Sequence, residues 1–193
     1  MIRTFQSKGW RIVRLGDVSH IVMGQSPPSE TYNSDGRGLY FLQGKAEFTE
    51  THPKPTKYCS KPLKTAKKGS VLISVRAPVG DVNLAGQDYC IGRGLTAISL
   101  INGSNRFLFF LLKSMKDEIQ SKSTGSTFQQ INKTVIENLE IPLPPVSEQQ
   151  RIVEILDTAF DGIATAKAKT ERKIEALDEL KKSLLHQAFS GQL

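Results

Sequence analysis

Hydrophobic and polar positions change rhythm once along this chain, near residue 145. Before that point, short apolar runs alternate with turn-forming or lysine-rich stretches. Residues 10–22 read as a short opening element, with Leu15, Val18, Ile21 and Val22 at helical spacing. Residues 24–29 (Gly-Gln-Ser-Pro-Pro-Ser) form a loop by turn chemistry. Leu39, Tyr40, Phe41 and Leu42 predict a buried strand, and residues 43–70 are polar. Residues 71–75 (Val-Leu-Ile-Ser-Val) give the clearest strand signal, rich in β-branched side chains. They run into Arg76-Ala77-Pro78-Val79-Gly80, a turn that displays Arg76. A further apolar stretch covers residues 88–101 and is broken by Gly92-Arg93-Gly94. Residues 107–119 predict a helix, and a short apolar run follows Asn132. Strands and helices mix without a βαβ rhythm, which predicts an α+β fold: a mixed α/β domain followed by one long helix.

The joint itself is sharp. Pro142, Pro144 and Pro145 are expected to stop any regular element, because each lacks an N–H and restricts the residue before it. Ser147 then reads as a helix N-cap, with Gln150 placed to complete a capping box. From there to Phe189 no proline occurs and Gly162 is the only glycine. Leu156, Ile163, Thr170, Leu177 and Leu184 recur every seven residues. Ile152, Ala159, Ala166, Lys173 and Leu180 precede them by four, and Lys173 alone departs from a coiled-coil seam. A helix over 147–189 would be roughly 65 Å long at 1.5 Å per residue. A globule of the preceding ~145 residues has a radius of gyration near 15 Å. The apolar stripe is therefore expected to need another helix. The expected domains are residues 1–145, globular, and 146–193, a spacer and dimerisation helix.

Charge sharpens this division. The net +7 resolves into +8 for residues 1–145, from nineteen bases and eleven acids, and −1 for 146–193, from seven and eight. A basic globule beside a neutral helix fits a module that touches a polyanion, although a basic pI kept for solubility has the same signature. No apolar run is long enough to span a bilayer, and the first residues lack the apolar core of a signal peptide. Cys59 and Cys90 have no paired ligand spacing and read as reduced thiols. A cytoplasmic protein without membrane association is expected.

Catalytic chemistry is hard to find. His20, His52 and His186 are scattered, so neither a metal site nor another cofactor is expected. No phosphate-binding Gly-rich loop with Lys-Ser/Thr is present. An amino-methyltransferase loop would need Asn/Asp-Pro-Pro-aromatic, and the two Pro-Pro strings here lack both the acceptor and the ring. Paired acids such as Glu47/Glu50 and Asp117/Glu118 read as solvated surface. No catalytic residue is nominated, and the chain reads as a non-enzyme.

The segment Ile141-Pro142-Leu143-Pro144-Pro145, with Glu148-Gln149-Gln150-Arg151-Ile152-Val153 after it, resembles the start of the spacer helix in specificity subunits of type I restriction–modification systems. The ending Leu180-Lys181-Lys182-Ser183-Leu184-Leu185-His186-Gln187-Ala188-Phe189-Ser190-Gly191-Gln192-Leu193 is similar to that helix's close. Gly24 with Ser26-Pro27, the 71–76 strand with Gly80, and Gly125-Ser126-Thr127-Phe128 followed by Ile131 match the looser pattern of a target recognition domain. The resemblance implies recognition of double-stranded DNA, with catalysis on separate methyltransferase (modification) and restriction subunits. The family's usual subunit carries two recognition domains and two antiparallel spacer helices. This chain has one of each, so it looks like a half-subunit, natural or truncated.

A homodimer through the C-terminal helix would rebuild the two-domain arrangement and read an interrupted palindrome. On this reading the candidate DNA contacts are Gln25, Lys45, Lys57, Lys67, Arg76, Arg93, Lys122, Ser126 and Thr127. The candidate helix contacts are Ile152, Leu156, Ile163, Leu177, Leu180 and Leu184. Lys45, Lys57, Lys67 and Lys122 are the phosphate candidates. Arg76 is the candidate base reader, with an intradomain pair to Asp81 or Asp88 as its structural alternative. A rival of another class is a coiled-coil scaffold protein whose globule binds protein, and a methyltransferase fragment is a weaker one.

Overall fold

The computed structural model describes residues 9–125 and 130–191. The chain divides into two compact units, Met1–Gln150 and Arg151–Leu193. In order, the first unit holds β1 (Arg11–Arg14), α1 (Leu15–Val18), β2 (Ser19–Met23), β3 (Tyr32–Asn33), β4 (Leu39–Leu42), β5 (Lys57–Cys59), β6 (Thr65–Ala66) and β7 (Val71–Ser74). It continues with β8 (Val82–Leu84), β9 (Tyr89–Ile91), β10 (Leu95–Leu100), α2 (Asn105–Ser114), α3 (Lys116–Ser121), α4 (Lys133–Glu137) and β11 (Glu140–Leu143). The long helix α5 (Val146–Phe189) begins in this unit and runs through the second. The fold is the expected α+β mixture with one long C-terminal helix.

Two sheets carry the core. An antiparallel sheet of order β2-β10-β7-β8 has β7 near its middle, and all four residues of that strand are buried. Helix α2 packs on β7, β8 and β10 with Phe107, Leu108, Phe109 and Leu112 inward. Ser104 caps this helix by accepting the Phe107 N–H at 3.2 Å. The second sheet, of order β3-β5-β4-β9-β6, pairs β4 with β9 in parallel and the other strands antiparallel. Leu42, Tyr89 and Ile91 from this sheet meet Leu72, Leu95 and Ala97 from the other in one buried cluster.

Three sequence expectations are corrected. Residues 10–22 are not one helical element. They form a strand, a single turn closed by Ser19 Oγ donating to the Leu15 carbonyl at 2.6 Å, and a second strand. Ile21 and Val22, both β-branched, pair with Ile98 and Ala97 of β10, so sheet pairing overrides the helical spacing. The helix expected over 107–119 breaks at Met115, whose N–H is shared between the Leu111 and Leu112 carbonyls. The prolines do not stop every element either. Pro142 lies inside β11, opposite Ile12 of β1. That ribbon has only two strands, so both are edges, where proline is tolerated.

Helix α5 starts at Val146, one residue ahead of the expected cap. The Pro145 carbonyl accepts the N–H groups of Glu148 and Gln149 at 2.9 and 3.0 Å, so Ser147 lies within the first turn. Gln149, rather than Gln150, anchors the helix start. It is 1% exposed. Its Nε2 donates to the Pro144 carbonyl and its Oε1 accepts the Ser104 N–H, both at 2.9 Å. Replacing Gln149 by alanine strands a carbonyl and an N–H in the interior. The expected cost is about 2–3 kcal/mol in urea unfolding. A loss below about 0.5 kcal/mol, typical of surface changes, would contradict this anchoring role.

In the second unit, Ile163, Leu177, Leu180 and Leu184 are 61, 64, 55 and 45% exposed, while Ile152 and Leu156 are half-buried. Ile174, 56% exposed, sits beside the exceptional Lys173. The apolar stripe therefore continues through a one-position drift, as a 3.6-residue helix requires of a 3.5-residue pattern.

Candidate nucleic-acid interface

Three backbone segments converge around the turn Gly92-Arg93-Gly94. The Gly92 N–H donates to the Leu42 carbonyl at 2.8 Å, and the Gly94 N–H to the Gln43 carbonyl at 3.2 Å. The Gly94 carbonyl accepts from Val75 N–H at 2.9 Å. Gly24 and Gln25 donate to the Leu95 and Ile91 carbonyls at 2.9 and 3.0 Å. The approach is too close for side chains: a Cβ on Gly24 would collide with the Gly92 carbonyl oxygen, and one on Gly94 with that of Gln43. The glycines thus weld the end of β4, the end of β7 and the β9–β10 turn into one corner.

A cleft of about 530 Å³ opens at this corner, lined by Gln43, Lys45, Glu47, Arg76 and Arg93 among others. Arg76 and Arg93 are exposed. Neither is paired with a carboxylate among the described residues. The intradomain partners considered for Arg76 are engaged elsewhere. Asp81 bridges Lys45 and Lys116, each at 2.6 Å, and Asp88 holds Lys67 at 2.7 Å. Burial opposes the charge on Asp81, but hydrogen bonds from Lys116 and Lys45 outweigh it and hold its carboxyl below the usual range. That stabilisation is present above the unfolded carboxyl value and is lost as pH falls through the lowered one. Asp88 is also lowered, mainly by the hydrogen bond from Lys67.

The structure thus brings Lys45, Arg76 and Arg93 together and separates the other candidates. Gln25 is exposed beside the Arg93 turn without lining the cleft. Lys57 lies exposed on β5, and Lys122 follows α3 with Glu118 at 3.6 Å. Three of the four lysines expected to meet phosphate therefore already face a carboxylate. Exposed Lys54, Lys61, Lys64 and Lys68 have no such partner among the described residues. Ser126 and Thr127 lie outside the described residues. Gln130, just beyond them, bridges to Arg76 and to Thr124.

Sequence reasoning missed Gln43 and set Glu47 aside as solvated surface. Only the packing of the Gly92–Gly94 turn against residues 42–44 places them in the cleft. Among the described residues, no group of three His, Cys, Asp or Glu could hold a metal ion, and no helix is long and apolar enough to cross a membrane. Cys59 and Cys90 are both free and buried. Burial, with Cys59 alongside, pushes the Cys90 thiol up to about 12.

Comparison with known proteins gives this geometry its context. Residues 7–176 match the model of the type I restriction modification DNA specificity domain. A Methanocaldococcus jannaschii protein, provisionally named the type I restriction enzyme MjaX specificity subunit, is 43% identical over 188 residues, 95% of this chain and 43% of its own length. The crystal structure of the HsdS subunit from Thermoanaerobacter tengcongensis superposes with a TM-score of 0.81 at 44% identity, over 100% of this chain and 48% of that one. A chain from a structure describing complex assembly and conformational transition of the type I R-M system gives a TM-score of 0.91, at the same identity and coverage. This chain belongs to the family of type I restriction modification DNA specificity domains. It spans less than half the length of these relatives.

Proposed function

We propose that this chain is a DNA-recognition module of a type I restriction–modification system, acting in the cytoplasm. Residues 1–145 read one half of a bipartite duplex site. The helix from 146 onward pairs with a second copy and offers a platform to the modification and restriction subunits. Catalysis then belongs to those partners, and this chain supplies position. The observation that carries the reading is the cleft at the glycine-welded corner, where Arg76 and Arg93 stand exposed with no ion-pair partner among the described residues. An arginine fork fixed at a rigid corner suits the N7/O6 edge of guanine, the commonest specific contact in the major groove. Backbone contacts from lysines set register and carry no sequence information.

Arg76→Ala tests the role. As a base reader, Arg76 should lose about 1–3 kcal/mol at one base pair and relax specificity there, with an unchanged melting temperature. Equal weakening on all sequences would reassign Arg76 to a phosphate. A lowered melting temperature with intact specificity would remove it from the interface.

A further inference from the structure

Glu47 is an anomaly in a cleft meant for DNA. It closes the 3-10 turn Lys45–Glu47, and its backbone carbonyl accepts the Lys54 N–H at 2.8 Å. Its carboxylate Oε2 is shielded and accepts no hydrogen bond from any described protein group. Among the described residues no other buried side-chain oxygen or nitrogen is left so. An acceptor in this state has capacity left for a donor. The cations of the cleft do not supply one: Lys45 is turned to Asp81, and Arg76 and Arg93 form no ion pair among the described residues. Backbone bonds from Gly94 to Gln43 and from Val75 to Gly94 hold the three segments in place. One acceptor-only group and two donor-only groups therefore share a single space of about 530 Å³.

The ligand must offer acceptors and a donor side by side. A phosphate offers acceptors alone and would be repelled by Glu47. The major-groove edge of a G·C pair offers both: N7 and O6 of guanine accept, and the N4 amino group of cytosine next to them donates. An A·T pair places its donor between two acceptors and gives no bidentate seat to an arginine. We propose that this cleft reads a G·C pair across both strands, with Arg76 on guanine and Glu47 accepting from cytosine N4. The proposal rests on the DNA-recognition reading above. It makes Glu47 a specificity-determining residue, turning toward the base when the groove fills the cleft.

The test uses the full chain and duplexes built on the site that the wild type selects from a random pool, with each base pair changed singly. Wild type should prefer one G·C pair by about fivefold or more. Glu47→Ala should reduce that preference at that pair alone, leaving the share that Arg76 holds on guanine. Glu47→Gln, nearly isosteric, adds an amide donor suited to adenine N6/N7, and should shift the same position toward adenine. If both variants keep every wild-type preference, Glu47 reads no base and the inference is overturned. Uniform weakening on all duplexes also overturns it, since Glu47 would then only shape the cleft. A wild type that selects no site at all overturns the DNA-recognition reading and this inference together. Melting curves of both variants identify any loss due to folding, and the Gln variant then carries the decision.

Discussion

Duplex binding is expected to weaken roughly a hundredfold between 50 and 200 mM salt. The logarithmic slope is near −0.9 per phosphate neutralised, so about four contacts give this change. The charge that drives it belongs to residues 1–145, which carry +8 of the net +7. Internal pairing trims that charge locally. Lys45, Lys67 and Lys122 already face Asp81, Asp88 and Glu118. The slope should therefore depend on Lys54, Lys57, Lys61, Lys64 and Lys68. Replacing Lys57 with glutamine should lower the slope by about one contact, and replacing Lys67 should lower it by less. A flat salt response, measured by fluorescence anisotropy across that range, would count against a phosphate-tracking surface.

Substituting Ile163 and Leu177 together with aspartate is expected to turn a dimer into a monomer. Both side chains are more than 60% exposed in the single chain, at 61 and 64%, and both lie on the heptad seam. In a symmetric pair of helices each substitution occurs twice, so four carboxylates would enter one apolar interface. Unpaired charge buried in this way costs several kcal/mol per site, enough to shift a dissociation constant by more than about a thousandfold. Residues 1–145 should keep their melting transition, because neither residue belongs to that unit. Light scattering at micromolar concentration should give a dimer for wild type and a monomer for the variant. A monomeric wild type, or a dimeric variant, would refute helix-mediated pairing.

What could be read in the sequence depended on whether the signal was local. The β7 run of Val71, Leu72, Ile73 and Ser74 declared itself through β-branched residues, and the long helix through its heptads and lack of proline. Both are properties of neighbours in the chain. Pro142 misled because its tolerance depends on pairing with β1, some 130 residues away, in a ribbon without a central strand. Ile21 and Val22 misled for the same reason: the partner that makes them a strand is β10.

The site followed the same rule. The exposed corner position of Arg76 was legible from a strand running into Ala-Pro. Its freedom from Asp81 was not, because Lys45 and Lys116 capture that carboxylate from distant elements. Glu47 could not be distinguished from any surface acid until Gln43, Gly94 and Val75 were seen bonded into one corner. Gln149 looked like one polar residue in a helix-start motif, and its burial follows only from the Ser104 loop that it ties down.

Sequence reading by a two-fold dimer is tested most directly by selecting duplexes from a randomised pool with the wild-type chain and sequencing those retained. Two identical half-sites in inverted orientation, at one fixed spacing, are the predicted result. A pool with no enriched sequence would contradict DNA reading, and a single enriched half-site without its inverted copy would contradict the dimer.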